Sequence, residues 1–150
     1  MDYFIWARVI HVLAVVLWIG GVAMVTTVLI PAVKKMESPR ERMETFEKLE
    51  GKFALQAKIT TILTALSGFY MLYYMDAWER FLYLQFWWLH AMVLVWLIFT
   101  IILFILEPLV LHKVFKSYAI KHPEKTFTFL HKAHWILFIL SLVTILGAVA

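Results

Sequence analysis

The chain of 150 residues has no cysteine, which excludes disulfides, thiolate metal sites, iron–sulfur clusters and covalently attached haem. Charge is also scarce: Asp, Glu, Lys and Arg make up 16% of the residues, against about a quarter in soluble domains. Glycine and proline number only five and four, so no linker, low-complexity tract or domain boundary stands out. What fills the space is apolar. At 63% hydrophobic, a chain of this length cannot hide its apolar side chains in one water-surrounded core, so lipid must cover the remainder. The net charge of +4 sits in the segments between apolar runs, where membrane topology accounts for it and nucleic-acid binding does not.

Uncharged stretches cover 9–33, 59–75, 81–106 and 133–150, each approaching the ~20 residues needed to cross a bilayer. Backbone groups in hydrocarbon must satisfy one another, so the expectation is an all-α integral membrane protein. Spans at about 4–33, 53–75, 81–111 and 127–149 with short connections predict an antiparallel four-helix bundle. No cleavable leader is expected, because the first apolar run follows Met1-Asp2 almost directly and is too long for one. Segment 34–52 carries six basic residues and 112–132 five, whereas the turn at 76–80 has only Arg80. The positive-inside rule then places both basic loops in the cytoplasm and both termini outside, in a bacterial inner membrane. Ser38 before Pro39, with acids soon after, resembles a helix start. The mixed charge of 34–52 nevertheless favours a solvated connector.

Histidines within spans are costly and draw attention as functional candidates. His11 lies ~10 Å inside the first predicted span and His90 ~13 Å inside the third, at a rise of 1.5 Å per residue. Those spans run the same way, so both rings fall at nearly one depth. Two opposed neutral imidazoles suit the axial positions of a haem iron; an interhelical hydrogen bond, another metal or a quinone are the alternatives. Ala7, Ala14, Val15 and Trp18 share the face of His11, where small residues leave room for a flat ring beside Trp18. Arg8, one turn nearer the surface, suits a haem propionate or simply snorkels to headgroups. His131 and His134 share a face near the basic end of the fourth span, with His112 ending the third on the same side. They suggest a second haem or a quinol site, or plain contact with headgroups. Gln56, Thr60, Ser67, Tyr70 and Tyr74 form a stripe on the second span that should face protein. Glu107-Pro108 should end or kink the third. The seven methionines form no cluster of the kind a copper relay needs.

In the first span "HVLAVVLWIGGV" (11–22) resembles the signature of small bacterial membrane proteins related to the CopD copper-resistance family and the HemJ-type protoporphyrinogen oxidases. The similarity extends to "WWLHAMVLVW" (87–96) and, loosely, to "HKAHWILFILSLVTILGAVA" (131–150). Resemblance to the HemJ group implies haem b held by His11 and by a lysine in the third span. Met92 stands at that lysine's position, a departure that favours His90 as second ligand and weighs against porphyrinogen oxidation. The CopD resemblance implies copper handling. The reading preferred from the residues is a b-type haem protein with bis-histidine ligation that transfers electrons, an oxidoreductase if it is an enzyme. Its partners are then lipid and a quinol or redox protein, with a homodimer left open.

Overall fold

The computed structural model describes residues 2–150, with side chains described for all of these except 110–113. The described residues are helical and contain no strand. Helix α1 spans Tyr3–Lys34; Asp2 caps it, its Oδ1 accepting the Phe4 N–H at 3.2 Å. Helix α2, Pro39–Tyr74, starts where Ser38 Oγ accepts the Glu41 N–H at 3.3 Å and Pro39 fills the first position. The solvated connector favoured for 34–52 is therefore corrected. Cap and proline prevail over mixed charge, because the charges lie along the exposed side of a helix whose Met43 and Phe46 are buried.

A second correction concerns the third span. Residues expected to begin it at 81 form two 3-10 turns, Trp78–Leu82 and Leu84–Phe86, and the α-helix starts only at Trp87. Helix α3 runs 87–115, its second part wound as a π-helix, Ile102–Phe115, that carries Pro108 without ending there. A short helix α4, Lys116–Lys121, follows, and α5 occupies Pro123–Val149. Three helices, α1, α3 with the turn before it, and α5, are long and apolar enough to cross a membrane. Helix α2 is not among them, since Lys58 and four buried hydroxyl residues interrupt its apolar half.

Contacts set the registers. Along α1 and α2, Phe4 stacks on Tyr74 at 5.3 Å, His11 meets Thr64, and the Gln56 amide donates to the Leu17 carbonyl, so the two helices run in opposite directions. A Cβ on Gly21 would stand 2.0 Å from the Phe53 ring, so glycine admits the ring where it sits against α1. The α2 hydroxyls cost nothing in this setting. Thr61, Thr64 and Ser67 each donate to the carbonyl four residues back, at 2.6, 2.8 and 2.6 Å. Helix α2 ends in a Schellman turn: Asp76 takes φ of 48° and the Ala77 N–H reaches the Leu72 carbonyl at 3.0 Å.

The end carrying the basic loops is tightly packed. Val25, Ile30, Val33, Ala119 and Phe127 are each at most 1% exposed and form one cluster with Met43 and Phe46. Ion pairs Arg42–Glu124 and Lys116–Glu47 tie the two basic segments together.

Candidate functional site

At the opposite end the helices part. A cavity of about 200 Å³ opens between α1, α2 and α3, walled by His11, Gly68, Arg80, Trp88 and Met92 among others. A smaller chamber of about 70 Å³ adjoins it toward Trp18, Ser141 and Thr144, and shares His11, Thr64, Met92 and Trp96 with the larger one.

His11 is held by α2. Its Nδ1 lies 3.0 Å from the Thr64 carbonyl and 3.1 Å from Ser67 Oγ. A carbonyl only accepts, and the Ser67 proton is already given to the Leu63 carbonyl, so the imidazole proton resides on Nδ1. That leaves the Nε2 lone pair bare, and Nε2 has no hydrogen-bond partner among the described residues. Fixing the far nitrogen on a backbone carbonyl is how metal-ligating histidines are oriented. Gly68 completes the cradle: a Cβ there would press to 3.2 Å from His11 Cε1 and turn the ring.

The other expected residues divide. Trp18 lies where anticipated, 3% exposed and edge-on to Phe99 at 5.0 Å, and it lines the smaller chamber. Its indole N–H is buried without a partner among the described residues, an arrangement that asks for an acceptor. Arg8 is exposed and lines neither chamber. The guanidinium at the larger cavity is that of Arg80, 5.4 Å above the Phe86 ring, and it was missed because it sits in the short turn rather than on a span.

His90 lies outside the walls of the two chambers that His11 lines. It stands one turn into α3 and has Nε2 at 2.9 Å from the Phe81 carbonyl and Nδ1 at 3.2 Å from that of Phe86. The turns at 78–86 consume the residues that would have set it deeper, and the ring ties those turns to the helix start.

No family model matches the chain, and no curated protein or solved structure matches it.

The histidines of α5 serve backbone. In α1 the segment Val25–Leu29 is π-wound, with the Ile30 N–H on the Val25 carbonyl. The next donor in that register would be Pro31, which has no N–H, so the Thr26 carbonyl is orphaned. His131 Nε2 fills the gap at 3.0 Å. The Trp135 indole N–H also lies 3.1 Å from this nitrogen, but Nε2 cannot donate and accept together. The buried carbonyl has the stronger claim, since exposed Trp135 has other partners in solvent or headgroup. His134 Nδ1 donates to the Leu130 carbonyl at 2.9 Å. Among the described residues no three His, Cys, Asp or Glu converge as a metal site; the side chain of His112 lies outside the described residues. Glu107, just before Pro108, pairs with Lys58 of α2.

By chemical type, the free Nε2 of His11, the apolar wall and Arg80 would suit iron, a flat ring and a carboxylate, but the chambers of about 200 and 70 Å³ are small for a porphyrin.

Proposed function

We propose that the chain is a b-type haem protein of the bacterial inner membrane that passes electrons, with a quinol and an extracytoplasmic redox protein as the partner classes. The observation that carries this reading is the bare Nε2 of His11 in the cavity wall, its tautomer set by the Thr64 carbonyl. In this reading the chain crosses the bilayer four times as an antiparallel bundle, with both termini outside. Helix α2 supplies the fourth span through its apolar half, which follows α1 from Tyr74 back to Phe53, ~30 Å at the helical rise. Its hydroxyls are self-satisfied and its lysine is paired, which removes the obstacles to burial.

Ligand clefts usually measure roughly 300–1,000 Å³, and the two chambers of about 200 and 70 Å³ fall short of that even together, so in this reading the side chains around them move apart to admit a porphyrin. Bound haem supplies one-electron chemistry at iron. The chain's own residues do the rest. His11 presents its lone pair, Arg80 pairs with a carboxylate at the rim, and the Trp18 N–H meets an acceptor in the inner chamber. The apolar walls exclude water and keep the surrounding dielectric low.

The test is an absorption spectrum of the purified chain, oxidised and reduced. A red protein with sharp low-spin α-bands is expected, and His11→Ala should remove at least nine-tenths of the bound haem, about 1.4 kcal/mol of binding or more. A colourless wild-type protein after expression with ample haem ends the proposal.

A further inference from the structure

We infer that a second copy of this chain docks on the lipid-facing side shared by α1 and α2, with the two Gln56 amides bonded to each other across a two-fold axis. The inference rests on the four-span reading of α2 above and is independent of haem.

The polar stripe of α2 is only partly covered by the chain itself. Thr60 and Ser67 are buried, whereas Gln56 is exposed. Around it the exposed side chains are apolar: Leu13, Leu17 and Met24 on α1, Ile59 and Leu63 on α2. Lipid tails cover such residues well, but they offer an amide no partner. The Gln56 amide has two N–H donors and one acceptor oxygen. One N–H is given to the Leu17 carbonyl at 3.3 Å, which leaves the second N–H and Oε1 without a partner among the described residues. One donor and one acceptor on a single group are complementary to themselves. Two copies related by a two-fold axis along the membrane normal satisfy both through a reciprocal pair of hydrogen bonds, the isologous arrangement in which a residue meets its own copy. A second copy is preferred to a different protein because the unmet donor and acceptor then balance with no other group.

Gly20 supplies the room. It stands three residues from Leu17, on the same side of α1, and is exposed, and a Cβ built there would meet no atom within 4 Å. A Cβ at Gly21 or Gly147, by contrast, would run into the ring of Phe53 or Trp87. The chain's own packing therefore uses the small residue at 21 and 147 and not at 20, where a missing side chain lets an outside helix come close.

The chain has no cysteine, so single thiols report position without background. In lipid vesicles at low protein-to-lipid ratio, mild oxidation of Gly20→Cys should join two copies through a disulfide, which needs Cα atoms within about 7 Å of each other. Leu94→Cys on α3 and Leu146→Cys on α5, both exposed, should stay unlinked. Energy transfer between labelled copies then reads association itself. Gln56→Leu should weaken it about tenfold, the worth of two interhelical hydrogen bonds, and Gly20→Leu should block it, both with unchanged helix content. The inference is overturned by wild type that stays monomeric at every protein-to-lipid ratio, by control thiols that link as readily as Gly20→Cys, by linking of Gly20→Cys to another protein, or by unaltered association in Gln56→Leu. Reaction of Gln56→Cys with a membrane-impermeant thiol reagent would place that side chain in water and remove the four-span reading as well. Without that reaction, failed linking removes the dimer alone.

Discussion

The two ends of this molecule are made by the same helices from the same kinds of residue, yet they are packed in opposite ways. At the basic end Phe127 and Ile30 are completely buried and ion pairs join elements far apart in sequence. At the other end the helices leave two adjoining chambers, and the buried Trp18 N–H lacks a partner among the described residues. Side chains of similar apolarity can close a helix interface or leave a site in it, depending on where bulky rings meet small residues. The most completely buried side chains gather at one end, and the chambers lie at the other.

The sharpest way to break this comparison is to hollow out the closed end. Phe127→Ala removes a fully buried ring that sits edge-on to Phe46 at 5.7 Å, and should cost about 3–5 kcal/mol. Denaturant or thermal unfolding in detergent measures it; a loss below 1 kcal/mol would mean that this cluster is not the stable region. Next in size is the π-turn contact. His131→Phe leaves the Thr26 carbonyl bare and should cost about 1–3 kcal/mol. Adding Pro31→Ala in the same chain supplies an N–H to that register and should recover part of the loss. If the two substitutions simply add, the carbonyl was never orphaned.

The open end should respond with the opposite sign. Ala65 lines the larger chamber, and Ala65→Val should stabilise the haem-free protein by about 0.5–2 kcal/mol, as cavity filling does, while lowering haem uptake. A variant that loses stability, or takes up haem unchanged, would show that the chamber is not spare volume awaiting a ligand. The smallest effect belongs to the exposed pair. The Arg42 guanidinium holds the Glu124 carboxyl below its ordinary range. A lowered folded value means the contribution is present above the ordinary carboxylate range and is lost as pH falls through the lowered one. Full exposure makes the change slight. Stability curves of wild type and Glu124→Gln should differ slightly above that window and converge below it, where both side chains are neutral.

Much of this was readable in the order of residues. Apolar runs located α1, α3 and α5, Ser38-Pro39 marked the start of α2 even though the charges argued for a loop, and the depth of His11 singled it out before any contact was known. Trp18 followed from helical spacing alone. The rest depended on distances that periodicity does not carry. Counting residues from 81 treated 78–86 as helix, but two 3-10 turns stand there and the His90 ring lies against the Phe81 carbonyl. Arg8 and Arg80 are equally visible as letters; which of them reaches the cavity depends on how the turn after Asp76 folds back.

By itself the order of residues determined that the chain is helical and that much of it suits hydrocarbon, because both follow from local composition and the need to satisfy every backbone group in place. Only the tertiary structure decided which ring nitrogens are occupied. A ring nitrogen is occupied or bare according to the carbonyls that neighbouring helices bring within 3 Å or so of it, and those neighbours are distant in sequence: Thr64 for His11 and Thr26 for His131.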